Sequence, residues 1–286
     1  MSIPEGWAHA RRAGESEATG EAVADPLVPR PAATVMLIRD TAEGIKVFLM
    51  RRHRKMDFVG GVMVFPGGGV DDRDRNADIA WHGPDKKWWG NRLGTDADLA
   101  EALVCAAARE TFEECSVLFA GAADDADLLV DDASVYRDQR AALVSKELSF
   151  GEFLRAEKLM LRADLLRPWA NWVTPKEERT RRYDTYFFVG ALPVGQRADG
   201  DNTESDQADW ISPESALEDF SAQRSFLLPP TWTQLDALAG RTVAEVLAVE
   251  RKIVPISPNM SMTDGNLEFE FFDGERYNRA LGGRTP

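Results

Sequence analysis

The segment from Glu101 to Glu114 constrains this chain more than any other stretch of its sequence. Alanines at positions 102 and 106–108 predict a slim helix that can lie close against a sheet. On this helix Glu110, Glu113 and Glu114 stand at positions i, i+3 and i+4, so their carboxylates share one face. An exposed, solvated face is the ordinary interpretation of such spacing, but carboxylate oxygens are also the ligands that hard divalent cations prefer.

The helix is expected to run from residue 99 to about residue 115. Asp98 can cap its N-terminus, and Glu101, three residues later, completes a capping-box pattern. Arg109 precedes Glu113 by four residues and is expected to offset part of the repulsion among the carboxylates. The capping role explains Glu101 without any chemistry, but a catalytic role stays open at this point.

The charge balance restricts the partners of the chain. Its 286 residues include 34 basic and 48 acidic side chains, which gives a net charge of −14. That balance opposes nonspecific attraction to nucleic acid or to an anionic membrane surface, so neither is an expected partner. A polyanionic small molecule would need bound metal or local arginines at its site.

Cysteine usage and hydropathy predict the compartment. Cys105 and Cys115 form neither a zinc-site spacing nor a disulfide framework, which favours a reducing, cytoplasmic location. The sequence contains no apolar run of about 18 residues and no apolar N-terminal signal stretch. We therefore expect a soluble protein.

Composition along the chain predicts three parts. Residues 1–30 are rich in Ala, Gly, Glu and Pro without apolar periodicity, which indicates a flexible N-terminal arm. Residues 31–240 are expected to form one domain with insertions at about 70–97 and 121–166. Residues 241–286 would then form a C-terminal extension.

Residue patterns within that domain predict both strands and helices. Apolar and β-branched runs predict a hairpin around Gly44, formed by strands 33–39 and 45–51. Glycines 67–69 are expected to form a flexible turn. The remaining strands are predicted at 62–65, 117–119, 169–173, 183–192 and 208–211. Helices are predicted at 135–146, 150–158, 213–220, 230–239 and 243–250.

The segment also resembles the Nudix box, a motif that reads Gly, five residues, Glu, seven residues, Arg-Glu, apolar, any, Glu-Glu, any, Gly, apolar. The matching residues, in order, are Phe65-Pro66-Gly67-Gly68, Glu101, Arg109-Glu110, Glu113-Glu114 and Val117. The chain departs from the motif twice. Ser116 replaces the last glycine and tolerates positive φ less well, and 32 residues instead of five separate Gly68 from Glu101.

The Nudix resemblance implies an α/β/α sandwich around a mixed β-sheet, with helical insertions. It also implies a metal-dependent hydrolase that cuts a diphosphate linkage, and a possible homodimer. Its metal ions would be Mg²⁺ or Mn²⁺, and one glutamate could serve as the general base. By resemblance, the metal ligands are Glu110, Glu113, Glu114 and a backbone carbonyl near Gly67.

A further catalytic glutamate of such enzymes often lies outside the box. Glu204 fits that place, in an acidic loop before Trp210, and Asp206 and Asp209 are its competitors. An ordinary solvated acidic loop is the alternative.

Motifs outside the box resemble those of split-box coenzyme A and acyl-CoA diphosphatases. They are Trp172-Val173-Thr174-Pro175, Arg182-Tyr183-Asp184-Thr185, Phe187-Phe188 and Leu228-Pro229-Pro230-Thr231. The resemblance implies hydrolysis of coenzyme A or acyl-CoA to 3',5'-ADP and (acyl)phosphopantetheine. Of the coenzyme A signature, Arg51 and Gly60-Gly61 are present, but Met56 stands where an arginine is expected.

Two arginine clusters are candidates for binding substrate phosphates. Arg51, Arg52 and Arg54 precede the glycines, and Arg182 lies in a second cluster with Arg179 and Arg181. A solvated basic hairpin end is the alternative for the first cluster. ADP-ribose, NADH or a dinucleotide would suit the same chemistry. A non-catalytic nucleotide-binding regulator is a further alternative, although a pure binder has no need of three crowded carboxylates.

Overall fold

The computed structural model describes residues 27–53, 61–75, 78–202, 205–263 and 266–282. Its strands are β1 (Arg30–Thr41), β2 (Gly44–Arg52), β3 (Met63–Val64), β4 (Gly67–Gly69), β5 (Trp81–His82), β6 (Ala120–Ala122), β7 (Leu159–Arg162), β8 (Leu166–Val173), β9 (Tyr183–Ala191), β10 (Ser205–Ile211), β11 (Pro255–Ile256), β12 (Asn259–Thr263) and β13 (Asn266–Glu270). Its α-helices are α1 (Lys86–Leu93), α2 (Ala97–Cys115), α3 (Arg137–Val144), α4 (Phe150–Ala156), α5 (Pro213–Ser221), α6 (Pro229–Leu238), α7 (Val243–Leu247) and α8 (Gly274–Leu281).

A mixed sheet in the order β10-β2-β1-β9-β8-β11 forms the centre of the molecule. The pairs β1–β9 and β8–β11 are parallel, and the other pairs along this path are antiparallel. The short strands β3 and β4 pair with β2 and β1, respectively. The predicted hairpin is confirmed, and Gly44 turns it with a φ of +115°.

Side chains of β1 alternate between two buried cores, because successive residues of a strand face opposite sides of the sheet. Val35 and Leu37 pack in the core that includes α1, α2 and the second insertion. Met36 and Ile38 pack in the core that includes α5, α6, α7 and the C-terminal elements. The expected α/β/α sandwich around a mixed sheet is therefore confirmed.

Both segments that were predicted as insertions are built into this sandwich. Strands β5, β7 and β6 form a separate three-stranded sheet that joins the first insertion to the second. Trp89 of α1 is fully buried, and its ring lies 5.7 Å from that of Phe188 on β9. Beyond residue 250, the hairpin β12–β13 and helix α8 pack on the second core, where Tyr277 is fully buried. The division into arm, domain and extension stays a prediction.

Several local predictions were wrong, and the structure shows why. Glycines 67–69 form strand β4 instead of a free turn, since they pair with residues of β1. Residues 117–119 are buried next to β6 but belong to no strand. Helix α2 begins two residues earlier than predicted, because the side chain of Asp96 caps it by accepting from the Leu99 amide. The predicted capping box is thus absent, and Asp98 and Glu101 instead contact Lys86.

The predicted helices otherwise hold to within a few residues at their ends. The segment predicted as one helix at 135–146 starts as a 3₁₀ turn before α3. Within the described residues, no helix is both long enough and apolar enough to cross a bilayer.

Candidate active site

The three glutamates of α2 share one face of the helix, as their spacing predicts. The side chains of Glu110 and Glu113 are 14% and 15% exposed, and Glu114 is buried. Burial raises the pKa of Glu110 from 4.5 to about 7; Arg109 opposes this shift and Glu113 adds to it. Burial also raises the pKa of Glu113. These carboxylates are therefore held where their negative charge is poorly solvated.

Arg109 lies at the centre of the charged groups around this face. Its Nη1 donates to Glu110 Oε1 at 2.8 Å and to Glu113 Oε1 at 3.3 Å, so the contact expected from the four-residue spacing is present. Its Nε and Nη2 donate to the two carboxylate oxygens of Asp74, each at 2.9 Å. Burial by itself would lower the pKa of Arg109, but Asp74 and the glutamates raise it overall. The guanidinium thus stays charged and links the two neighbouring glutamates.

Strand β4 brings the glycines against the carboxylates. The Gly67 amide donates to Glu114 Oε2 at 2.7 Å. A Cβ on Gly68 would overlap the Glu110 carboxylate, and one on Gly67 would overlap backbone and side-chain atoms of β1. Only residues without a side chain fit between β1 and the glutamates, which accounts for the glycine pair in the motif.

The C-terminal end of α2 is anchored by one residue of helix α3 and one residue of a loop. Ser116 adopts the left-handed conformation, with a φ of +62°, where the family motif has glycine. Arg140 of α3 is buried and donates to the Ser116 hydroxyl and to the Glu113 carbonyl, both at 3.0 Å. Asn202 donates to the carbonyl of Glu114 at 2.9 Å. These contacts hold the turn that serine alone would disfavour.

A cavity of about 430 Å³ opens beside β4. Glu110, Glu114 and glycines 67–69 line part of it. Segments that are far apart in sequence complete the wall, and their lining residues are Trp172 to Pro175, Arg181, Tyr183, Thr185, Phe187 and Leu228 to Thr231. The motifs noted outside the box therefore converge on the same cavity as the glutamates.

The family model for the NUDT19 Nudix domain matches residues 85–238, which is more than half of the chain. This chain belongs to the Nudix hydrolase family. The match covers the glutamate helix α2 and most of the residues that line the cavity.

Named relatives agree with this family. The Nudix chain is 26% identical over 225 residues to the acyl-coenzyme A diphosphatase NUDT19 of Xenopus laevis, covering 68% of this chain and 59% of that protein. It is 28% identical over 235 residues to the human protein of the same name, covering 70% and 62%. The match thus spans about six-tenths of the length of these relatives. A solved Nudix hydrolase from Alicyclobacillus acidocaldarius aligns with a TM-score of 0.64 at 27% identity, covering 79% of this chain and 98% of that one.

The donor set of the Nudix site suits a hard divalent cation. Glu110 and Glu114 supply carboxylate oxygens to the cavity wall, and Glu113 lies beside them on Arg109. Burial raises the pKa of Glu110 to about 7, so its charged form is poorly solvated, and a bound cation would stabilise that charge. Within the described ranges, no group of three or more Asp, Glu, His or Cys side chains is arranged so that it could hold a metal ion as it stands. The carboxylates would therefore need to rotate toward an ion.

The predicted substrate-binding arginines lie in different places. Arg52 lines the cavity, whereas Arg51 lies outside that lining and pairs with Asp206 at 2.6 Å. Arg182 is buried, and its guanidinium donates to the backbone carbonyls of Leu27, Thr174 and Pro175. These contacts occupy its guanidinium with backbone carbonyls, and a substrate contact from Arg182 stays a prediction. Arg181, one residue earlier, lines the cavity instead.

Several other predictions fall outside the described residues. They concern Glu204, Arg54, Met56 and Gly60. For Gly67, the structure shows the amide in contact with Glu114, and a metal contact from a carbonyl near it stays a prediction.

Two side chains that organise the Nudix site were missed in the sequence. Asp74 comes from the first insertion and Arg140 from the second, and both contact the glutamate helix from a distance in sequence. The pattern Asp71 to Asp74 could have indicated a capped turn, which the structure confirms as a capping box. The C-terminal elements also contribute, because Pro258 and Phe269 line the cavity.

Proposed function

We propose that this chain hydrolyses coenzyme A or acyl-CoA to 3',5'-ADP and (acyl)phosphopantetheine, using Mg²⁺ or Mn²⁺. Membership of the Nudix hydrolase family supports the reaction class. The resemblance to relatives named acyl-coenzyme A diphosphatases supports the substrate class.

The observation that carries the proposal is that one cavity has both a carboxylate-lined part and an apolar part. Glu110 and Glu114 line it together with an apolar surface formed by Trp172, Phe187, Leu228, Pro229, Pro230 and Phe269. Coenzyme A has the same two parts, since a charged diphosphate is followed by a long and less polar pantetheine arm. A cavity of about 430 Å³ is within the range of small-molecule sites.

The residues of the chain have separate tasks in this reaction. A water molecule attacks one phosphorus, the bridging P–O bond breaks, and the oxygen and protons of that water end in the two phosphate products. A bound divalent ion would neutralise the diphosphate oxygens and lower the pKa of the attacking water. Glu110, Glu113 and Glu114 would hold the ion, and Arg109 donates to two of these carboxylates. Arg52, which lines the same cavity, would contact a phosphate.

A substrate panel tests the proposal. Coenzyme A, an acyl-CoA, ADP-ribose, NADH and a dinucleotide would each be incubated with Mg²⁺ and with Mn²⁺, and the products separated by chromatography. We expect coenzyme A or the acyl-CoA to be cleaved fastest, with 3',5'-ADP as a product. Much faster cleavage of ADP-ribose or NADH would overturn the substrate class. Nucleotide binding without cleavage of any compound would overturn the enzymatic assignment itself.

The homodimer and the cytoplasmic location stay predictions from the sequence. Sedimentation of the purified chain would test the first, and imaging of a tagged chain in its own cells would test the second.

A further inference from the structure

A second cleft joins the cavity of the candidate active site. Leu27, Val28, Arg30 and residues 180–183 line it, and its volume is about 560 Å³. Arg181 and Tyr183 line both spaces, so the cleft is a lateral continuation of the cavity. We call it the arginine cleft.

Strand register shows how the two spaces are connected. On β1, Ala32 and Thr34 line the cavity and Arg30 lines the arginine cleft, and these three residues share one face because side chains alternate along a strand. Thr34 pairs with Gly67, whereas Arg30 pairs with Tyr183. At about 3.3 Å per residue, the backbone of Arg30 lies roughly 13 Å along the strand from Thr34, the partner of Gly67. An arginine side chain can cover part of that distance.

The electrostatics of the cleft differ from those of the whole protein. The net charge of the chain is −14, but the cleft is lined by Arg30, Arg181 and Arg182. Arg182 is buried and donates to backbone carbonyls, including the Leu27 carbonyl at 2.6 Å. It therefore holds the backbone at the edge of the cleft. Arg30 and Arg181 are exposed. The acidic side chain of Glu178 is buried and accepts from the Thr180 amide and hydroxyl.

We propose that the arginine cleft binds the 3'-phosphate of the coenzyme A ribose, with Arg30 and Arg181 as the phosphate-binding side chains. This inference rests on the proposed function. The 3'-phosphate is one ribose away from the diphosphate, so it needs an anion site next to the glutamates yet separate from them. A phosphomonoester dianion would be repelled by the carboxylates, and guanidinium groups bind it with paired hydrogen bonds.

Paired substrates test the inference. Coenzyme A and 3'-dephospho-coenzyme A differ only in this phosphate. Arg30 is the cleaner probe because it lines only the arginine cleft, whereas Arg181 also lines the cavity. We expect the kcat/KM preference for coenzyme A over the dephospho form to fall about tenfold in R30A, because the variant loses one charge-assisted contact with the phosphate. R30K should retain part of the preference, and R224A, an exposed arginine outside both linings, should retain all of it.

A binding measurement separates this inference from the proposed function. Calorimetry would compare 3',5'-ADP with 5'-AMP, neither of which requires turnover. We expect wild-type protein to bind 3',5'-ADP more tightly and R30A to lose about tenfold of that difference. Equal affinity of wild-type protein for the two nucleotides would overturn the cleft assignment even if coenzyme A is cleaved. Cleavage of ADP-ribose in place of both coenzyme A forms would instead overturn the proposed function.

Discussion

Asp74 accepts two hydrogen bonds from the guanidinium of Arg109, one on each carboxylate oxygen and each at 2.9 Å. The pair joins the first insertion to the glutamate helix, because Arg109 also contacts Glu110 and Glu113. Asp74 is 1% exposed, so water cannot replace it as a partner. The insertion that interrupts the motif therefore supplies part of the charge balance of the site.

Replacing Asp74 by Asn should weaken both the fold and the proposed metal site. The change leaves the buried Arg109 with less compensating charge, and breaking such a pair costs about 3 kcal/mol of unfolding free energy. Arg109 would then hold Glu110 and Glu113 differently, so Mn²⁺ affinity should fall. Urea unfolding and Mn²⁺ titration by electron paramagnetic resonance would measure the two effects. D72N, an exposed position in the same 3₁₀ turn, is the control, and equal behaviour of the two variants would refute the role of Asp74.

Glu114 should be essential for turnover. Glu114→Gln removes one negative charge from the site but keeps an oxygen that can accept from the Gly67 amide, so the fold should be retained. We expect kcat to fall on the order of 10²–10³-fold, as for the loss of a group that stabilises charge during the reaction. The matched control is E101Q on the same helix, because Glu101 contacts Lys86 outside the cavity lining. Activity of E114Q close to that of E101Q would rule out the metal-site assignment.

Glu110 should make stability depend on pH when divalent ions are chelated. Burial raises its pKa from 4.5 to about 7, so the folded chain keeps a proton between these pH values that the unfolded chain releases. The unfolding free energy contributed by this group therefore falls as pH rises through that window and stays low above it. E110Q should gain about 3 kcal/mol over the wild type above pH 7 and nothing below pH 4.5. Urea unfolding in EDTA across this pH range would measure it; parallel curves for both proteins would contradict the expectation.

Arg140 should control the end of the glutamate helix. Its guanidinium donates to the Glu113 carbonyl, the Ser116 hydroxyl and the Asp201 carbonyl, and it pairs with Asp199. We expect R140A to lose about 3 kcal/mol of unfolding free energy, because buried acceptors lose their donor. Turnover should also fall, since Glu113 and Glu114 lie at the released end. R137A, exposed on the same helix, should stay within about 0.5 kcal/mol of wild type; an equal loss in both variants would show a general effect of α3.

Cys105 and Cys115 should be unreactive in the folded protein. Both thiols are buried, and burial raises the pKa of each above its ordinary value. Because the thiolate is the reactive form, Ellman's reagent at pH 8 should label neither cysteine before unfolding and both after it. Rapid labelling of the native chain with loss of activity would show that α2 opens in solution.

Helical periodicity made the glutamate face predictable, since positions i, i+3 and i+4 coincide on any continuous helix. The cap of α2 was placed wrongly because Asp96 and Asp98 offer the same side-chain chemistry two residues apart. The cap therefore depends on where the preceding turn ends. Asp74 and Arg140 could not be assigned from spacing, because their contacts with α2 depend on how two insertions fold back.

Adjacent arginines show a related limit of prediction from sequence. Arg181 and Arg182 are adjacent in sequence, and alternation along the chain turns one toward the cavity and buries the other among carbonyls. Sequence composition identifies such a cluster as basic, but only the path of the backbone decides which guanidinium can meet a substrate.

The contribution of the first insertion also limits how the chain can be engineered. Shortening it to the usual five-residue spacing would remove Asp74, and with it the partner of a buried cation. It would also remove Trp89, leaving an indole-sized hole against Phe188. A reporter domain or an affinity tag is better placed in the exposed turn at Asp124 and Asp125 of the second insertion, where the added chain would leave the glutamates of α2 undisturbed.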